Sequence, residues 1–290
     1  MYPIEIRQAK KADLDQIAHW IARLNALSAH QCLHCDETYE GVRNGIAALG
    51  ESPETFFVMA GRGEGLVGVL GCDCSEEDGW LWGPFVEDSD WEAVTSDLFH
   101  RLMDVLPNMV RTLHTFTGLA NPRSHRFYLA EGFEETKTSH IYTALPPDEQ
   151  QEPKNLCGEF EAHHRAAVVA LHELAFPGTP MTMPEIIARL DDDHKLFVCT
   201  NGDEVLGYLY ATLNDAPVEG FIEFLAVQPE ARGQGSGKRL LSTAMHWFFQ
   251  VKRMPQAGLC VLDERTNAQA LYEQVGFRLS YSGVGAKKQL

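Results

Sequence analysis

The spacing of hydrophobic and polar positions in the first half predicts a succession of strands and amphipathic helices. Apolar residues flank a polar one over 4–6, which indicates a strand, and the spacing from Leu14 to Ile21 is helical, with Asp13 as the predicted N-cap. The further elements predicted before residue 145 are, in order, a helix at 39–49, strands at 56–60, 66–72 and 80–86, a helix at 91–106, a strand at 111–117, a helix at 124–131 and a strand at 139–143.

The second half repeats this succession after a linker. Residues 146–155 combine prolines with acidic and amide side chains and lack apolar periodicity, which is typical of a linker. The elements predicted after it are helices at 162–175 and 183–190, strands at 196–200, 205–212 and 221–227, a helix at 235–251, a strand at 259–262, a helix at 267–274 and a strand after 277. Two copies of one α+β unit therefore account for the length of 290 residues, with predicted domains at 1–145 and 156–290.

Three alternating glycines stand where the strand at 221–227 gives way to a helix. Glycine is a poor helix former, so Gly233, Gly235 and Gly237 indicate that something requires a bare main chain there. Free amides at a helix N-terminus, with the positive end of the helix dipole, bind anions, and Arg232 and Lys238 can add charge. From these residues alone, an ordinary glycine-rich turn stays open as the alternative. A dinucleotide fingerprint fits worse, because no acidic ribose ligand follows at the expected strand end.

Two motifs in this half resemble the cofactor signatures of the GNAT superfamily of N-acetyltransferases. The signature Arg/Gln-x-x-Gly-x-Gly/Ala is met by 232–237, and Asn-x-x-Ala-x-x-Leu-Tyr-x-x-x-Gly-Phe is met by Ala268, Leu271, Tyr272, Gly276 and Phe277. One departure is Arg265, which occupies the place of the family's Asn, so Asn267 or Asp263 is the expected substitute. The resemblance implies an α+β chain of two tandem GNAT-like domains, each a mostly antiparallel central sheet flanked by helices.

The resemblance also implies a reaction, in which a substrate amine attacks acetyl-CoA directly. The pantetheine arm is expected to pair with the main chain of the last strand residues, and the diphosphate to bind at the helix start. The expected cofactor-binding residues are thus Leu225, Ala226, Val227, Arg232, Gly233, Gln234, Gly235, Ser236, Gly237, Lys238 and Asn267.

Catalytic roles follow from the same resemblance. The amide of Val227 is the expected oxyanion donor, and Tyr272 the acid that protonates the CoA thiolate, with packing beside Phe277 as its alternative. Glu223, four residues before Val227, is the candidate base and lies on the same strand face if no bulge intervenes. A solvated carboxylate is the alternative for Glu223. Both His194 and His246 are weaker candidates for the base.

The first half keeps the second motif and loses the glycines. Residues 121–133 fit the Asn-to-Phe pattern, with Ser124 in place of Ala. When the halves are aligned on Val86 and Val227, Trp91 replaces the arginine, and 92, 94 and 96 are Glu, Val and Ser. Acidic residues at 87, 88, 90 and 92 would repel a diphosphate. We therefore expect residues 1–145 to be a degenerate GNAT-like domain and 156–290 to bind acetyl-CoA.

Charge and cysteine content indicate which classes of partner and which compartment the sequence favours. The formal charge of −17, with 22 acids against 11 bases in 1–145, argues against nucleic acid and favours a small cationic amine, although solubility alone explains acidity too. No apolar run or leader pattern suggests a membrane segment or signal peptide, and seven scattered cysteines fit the cytoplasm. The expected assembly is a monomer with pseudo-dimeric halves or a homodimer.

Two further alternatives concern the function class and a metal. A non-catalytic acyl-CoA sensor would keep the phosphate site without an acid and a base. His30, Cys32, His34 and Cys35 have metal-like spacing, but a single Cys-x-x-Cys lacks the second pair that makes zinc convincing, so no metal is expected.

Overall fold

The structure is a computed structural model that describes residues 3–63, 65–147, 155–179, 181–215, 218–264 and 266–290, with the main chain only at 215, 266 and 267. Most of the predicted linker falls outside the described residues. The chain forms two compact units, the first Met1–Ser139 with Tyr281–Leu290 and the second His140–Ser280. No helix among the described residues is long and apolar enough to cross a membrane.

The first unit is a mostly antiparallel sheet covered by helices on both faces. Its elements are β1 (Ile4–Gln8), α1 (Leu14–Asn25), α2 (Tyr39–Ala48), β2 (Phe57–Arg62), β3 (Gly65–Ser75), β4 (Asp78–Val86), α3 (Trp91–Val105), β5 (Thr112–Gly118), α4 (Pro122–Ala130) and the start of β6 (Glu134–Ala144). Strands β1 to β4 pair antiparallel in chain order, and β4 pairs parallel with β5.

The second unit repeats the plan. Its elements are β7 (Gly158–Glu159), α5 (Arg165–Ala175), α6 (Met183–Ala188), β8 (His194–Asn201), β9 (Glu204–Asp215), β10 (Val218–Val227), α7 (Ser236–His246, continued by a π-helical turn Trp247–Val251), β11 (Ala257–Leu262), α8 (Thr266–Gln274) and the start of β12 (Arg278–Gln289). Strands β7 to β10 pair antiparallel in order, and β10 pairs parallel with β11. The predicted fold class is confirmed.

Strand alternation builds two cores in each unit. In β2, Phe57 and Met59 join the core beneath α1 and α2, whereas Val58 and Ala60 join the core beneath α3 and α4. The second unit divides the same way, with alternate residues of β9 packing under α5 and α6 or under α7 and α8. All-apolar strand stretches therefore lie between two helix layers.

The bounds of the compact units differ from the predicted domain boundaries in two segments. Strand β6 has 11 residues and β12 has 12, and each passes from one unit into the other partway along its length. Residues 140–145 therefore belong to the second unit, where Tyr142 and Ala144 enter the core, and 281–290 to the first, where 283–289 pair with β5.

The predicted capping role of Asp13 is wrong. Residue 13 does stand at the N-cap position of α1, but its side chain makes no capping bond to that helix. Instead its carboxylate accepts from the Lys10 amide at 2.7 Å and pairs with Arg7 at 2.7 Å, which holds the preceding 3-10 turn against β1. This pairing lowers the pKa of Asp13.

Candidate active site

Strands β10 and β11 begin as a parallel pair and then part. Their register runs from Gly220 opposite Ala257 to Ile222 opposite Leu259, yet β10 continues to Val227 and β11 to Leu262. On its other side β10 stays paired with β9 up to Val227. The sheet of the second unit thus opens between the ends of β10 (223–227) and β11 (260–262), a gap called the wedge below.

The main chain of Val227 points into the wedge. The next amide, that of Gln228, donates to the Leu206 carbonyl on β9 at 2.8 Å. Hydrogen-bonded and non-hydrogen-bonded pairs alternate along an antiparallel ladder, so Val227, opposite Gly207, directs its N–H and C=O away from β9. A Cβ at Gly207 would lie 2.6 Å from the Ala226 carbonyl oxygen, so glycine is needed for this close approach.

Two glycines of the predicted phosphate site keep the start of α7 bare. Gly233 and Gly235 have φ values of 74° and 85°, in the left-handed region that favours glycine. Nothing lies within 4 Å of a Cβ built on either residue. A side chain there would enter the open space in front of the helix start, where the first amides of α7 have no intrahelical partner. That space suits an anion, because the positive end of the helix dipole faces it.

For Gly237 the structure gives a different reason. This residue is helical, and an added Cβ would lie 3.0 Å from Leu271 Cδ2 and 3.7 Å from Val227 Cγ2. The lack of a side chain therefore brings α7 against α8 and β10. It joins the predicted phosphate site, Val227 and the helix that carries Tyr272 into one packed group.

The polar residues around the helix start are placed as follows. Arg232 is exposed, and its Nε donates to the Val227 carbonyl at 3.3 Å, while Gln234 Nε2 donates to the Glu230 carbonyl at 2.7 Å. Ser236 is buried as the first residue of α7. Lys238 lines a cavity of about 370 Å³ together with Ser242 and His246, one and two turns further along α7. The structure thus brings the predicted residues 225–238 to one edge of the second unit.

Tyr272 lies on α8, in the core beneath α7 and α8. The residue is 8% exposed, and its ring centroid is 6.2 Å from those of Phe277 and Tyr142. Leu271, its neighbour in the chain, packs against the Cα of Gly237. These contacts fit the packing alternative, and the role of Tyr272 as an acid stays a prediction.

Glu223 stands at a bulge, which overturns the expected strand face. The β9–β10 register shifts between Ile222 and Phe224, so the four-residue spacing to Val227 no longer keeps both side chains on one face. Thr212 Oγ1 donates to Glu223 Oε1 at 3.4 Å, on the face covered by α5 and α6, whereas Val227 packs against the opposite core. Glu223 is exposed, yet desolvation of its carboxyl raises the pKa. The sequence offered no sign of Thr212, because a ladder partner depends on the register.

The remaining candidates have other partners or are not described. His194 Nδ1 lies 2.8 Å from Asp191, and Asp263 lies 2.8 Å from His140 Nε2. The side chain of Asn267 lies outside the described residues. In the described part of the chain, no three His, Cys, Asp or Glu side chains are grouped closely enough to hold a metal ion.

In the first unit, side chains occupy the start of α3, which corresponds to the start of α7 in the second unit. Trp91 is the first residue of α3 and is 3% exposed, with the Arg123 guanidinium 4.3 Å from its ring centroid. Arg123 also pairs with Glu92 at 3.0 Å. Of the three other acidic residues near this turn, Glu87 and Asp88 pair with Arg23 at 2.8 Å and Arg62 at 3.1 Å. Their carboxylates already have cationic partners, and the helix start carries bulk where the second unit carries glycine.

Comparison with known proteins finds a family match within the second half. Residues 160–277 match the model of the acetyltransferase (GNAT) family. A mycothiol acetyltransferase from Streptomyces griseus subsp. griseus is 31% identical over 120 residues, which are 39% of this chain and 39% of that relative. The match therefore spans about two fifths of the relative's length.

Solved structures share the fold over the whole chain. A GCN5-related N-acetyltransferase from Sphaerobacter thermophilus superposes with a TM-score of 0.72 at 16% identity, covering 100% of this chain and 97% of that one. A tandem GNAT protein from the clavulanic acid biosynthesis pathway has a TM-score of 0.59 at 12% identity, with coverages of 99% and 98%. Residues 160–277 are therefore similar to the GNAT acetyltransferase family, and the chain as a whole shares the fold of a tandem GNAT protein.

Proposed function

We propose that the chain transfers an acetyl group from acetyl-CoA to the primary amine of a small molecule, at a single site in its second half. The observation that carries this proposal is the bare start of α7 beside the open wedge. Gly233 and Gly235 leave the helix amides accessible, and the Val227 main chain points into the gap between β10 and β11. A diphosphate and an extended pantetheine arm need these two features.

The residues present fit acetyl-CoA. The amides at the start of α7, with Arg232, Gln234, Ser236 and Lys238, would hold the diphosphate, and the free edge of 225–227 would pair with the pantetheine amides. When acetyl-CoA is bound, its thioester supplies an electrophilic carbonyl carbon. The Val227 N–H, fixed by the ladder to β9, would donate to the carbonyl oxygen without reorganisation.

Proton transfer would use both helix layers. Glu223, on the α5–α6 side, would take a proton from the attacking amine, directly or through one water. Tyr272, on the α7–α8 side, would donate a proton to the departing sulfur as the C–S bond breaks, because a phenol is protonated at neutral pH. The raised pKa of Glu223 supports its role as a base, since desolvation makes a carboxylate a stronger proton acceptor.

A cationic acceptor is supported by the charges near Glu223. A cavity of about 600 Å³ is lined by Glu159, Asp191, Asp192 and Asp193, together with His194 and one lysine, Lys195, which pairs with Glu159 at 3.1 Å. His194 pairs in register with Thr212, the hydrogen-bond partner of Glu223. An amine that carries further positive charge would therefore meet a negative potential next to the base.

The first half would be a folded domain that lacks a second cofactor site. We propose that residues 1–145 are a degenerate GNAT-like domain, because Trp91 and the arginine-paired acids fill the place of the phosphate site. The proposed location is the cytoplasm, on the cysteine spacing of the sequence alone.

Thiol release from acetyl-CoA, measured against a panel of amines, tests the proposed function. We expect turnover with cationic amines to exceed that with neutral amines, and anionic amines to be poorest. The control is the Glu223→Gln variant with the same panel. Tight binding of acetyl-CoA without amine-dependent thiol release for any member of the panel would instead favour an acyl-CoA-binding sensor.

A further inference from the structure

Two cysteines of the first unit lie within reach of each other on a tight turn. The Sγ atoms of Cys32 and Cys35 are 3.7 Å apart, and the Cys35 amide donates to the Cys32 carbonyl at 3.2 Å. A disulfide needs about 2.05 Å between the sulfurs, so the two must approach by ~1.7 Å to bond. The turn therefore brings the two sulfurs near bonding distance.

The main chain around the pair is held at both ends. Asn25, which is 2% exposed, accepts from the Cys32 amide at 2.7 Å and donates to the carbonyl of Cys35 at 2.9 Å. The main chain of Cys32 also forms an isolated antiparallel β-bridge with Thr117. The Leu33 amide donates to the Phe116 carbonyl on β5 at 2.8 Å. These bonds fix the two Cα positions, so the proximity of the sulfurs is built into the fold.

The pKa values of the Cys32 and Cys35 thiols are shifted in opposite directions. The hydrogen bond from Cys35 lowers the pKa of Cys32 to about 6, with further help from the main chain of Gly83. Desolvation, followed by the same bond to Cys32, raises the pKa of Cys35 well above its usual range. These opposite shifts give Cys32 the greater thiolate character of the two, the arrangement of an attacking and a resolving cysteine.

A second sulfur pair in the same unit provides a contrast. Cys72 Sγ and Cys74 Sγ are 3.5 Å apart, but these residues are alternate positions of β3. Two residues of a strand span about 6.6 Å, close to the upper limit of Cα separation in disulfides, and the ladder holds them extended. The distance between the sulfurs therefore does not distinguish the two cysteine pairs. They differ in backbone geometry, a tight turn against an extended strand.

We propose that Cys32 and Cys35 form a reversible dithiol–disulfide pair that a small hydroperoxide oxidises. Cys32 is 3% exposed and Cys35 is half-buried, which favours a compact oxidant over a bulky disulfide. The Cys32 thiolate attacks one peroxide oxygen, the O–O bond breaks, and the departing hydroxide takes up a proton as water. The Cys35 sulfur then attacks the Cys32 sulfenic acid, the S–O bond breaks, and the hydroxyl leaves with the Cys35 proton as a second water.

Peptide mass spectrometry of the full-length protein tests this pairing. Trypsin cleavage after Arg23 and Arg43 gives one peptide, 24–43, that contains Cys32 and Cys35 and no other cysteine. After treatment with hydrogen peroxide and alkylation, we expect this peptide to lose two hydrogens and carry no alkyl group. Dithiothreitol should restore two alkylation sites. The peptide that contains Cys72 and Cys74 should still be alkylated twice at the same peroxide dose.

Two variants sharpen the test. Cys35→Ser should stop the reaction at a sulfenic acid on Cys32 that dimedone traps, and Cys260→Ser, at an exposed cysteine of β11, should leave the oxidation of 24–43 unchanged. The wild-type measurement does not depend on how either variant folds. The proposal is overturned if 24–43 keeps both alkylation sites at a peroxide dose that oxidises Cys260, or if its cysteines appear only in bridges to other peptides.

Discussion

In both units a parallel pair of strands parts, yet the residues proposed for acetyl transfer lie beside the opening of the second unit. In each unit one parallel pair of strands holds register for three residues, β4 with β5 and β10 with β11, and a bulge distorts the neighbouring ladder. Counting back four residues from Val86 and Val227 reaches Trp82 in the first unit and Glu223 in the second. At this spacing the first unit has an indole paired in register with Gly71, and the second has a carboxylate at the bulge itself.

The tyrosines at the same motif position, Tyr128 and Tyr272, show how the two units differ. Tyr128 on α4 occupies the motif position of Tyr272, is fully buried, and donates to the Gly83 carbonyl on β4 at 2.9 Å. Desolvation raises the pKa of Tyr128 well above its usual range. A phenol committed to a strand carbonyl stabilises the fold. The motif tyrosine is thus a structural residue in the first unit, which teaches that a tyrosine at this motif position does not by itself identify an acid.

The largest expected effect comes from filling the phosphate site. Gly235→Glu places bulk and negative charge in front of α7, and we expect binding of acetyl-CoA to fall below detection by calorimetric titration. The matched control is Gly202→Glu, because Gly202 also has a left-handed φ, 59°, and open space around its Cβ, but lies in the β8–β9 turn. Equal loss in both variants would trace the effect to backbone strain instead of the anion site.

The paired tyrosine variants should separate catalysis from stability. Tyr272→Phe should lower kcat by ~10²–10⁴-fold with little change in the Kd for CoA, if the phenol is the acid. Tyr128→Phe leaves the Gly83 carbonyl without its partner and should cost about 1–3 kcal/mol of unfolding free energy with kcat unchanged. Near-normal turnover of Tyr272→Phe would make both tyrosines packing residues and remove this contrast between the units.

Glu223→Gln should slow turnover and change its pH dependence. The wild-type base works only when ionised, so kcat/KM should fall as the pH drops through the raised pKa of Glu223, and the variant should lack this step. An acid with a raised folded pKa contributes stability at low pH that is lost as the pH rises through that pKa. The Gln variant should therefore unfold at an equal or slightly higher Tm at pH 7. An unchanged pH profile would assign the proton to another acceptor.

Most of the fold could be predicted from features of short stretches of sequence. Features that depend on contacts between distant stretches could not. Helices and strands follow from apolar spacing, and the open start of α7 follows from Gly233 and Gly235, because φ preference is a property of one residue. The bulge at Glu223 depends on register with β9, the packing of Gly237 on its distance to Leu271, and the passage of β12 between units on strand pairing. None of these has a signature within a short stretch of sequence.

The number of acetyl-CoA molecules bound per chain tests the contrast between the units most directly. Calorimetric titration of the full-length protein should give one site, and the Gly235→Glu variant should give none. Two sites in the wild-type protein, or one site remaining in the variant, would show that the first unit binds the cofactor despite Trp91 and its paired acids.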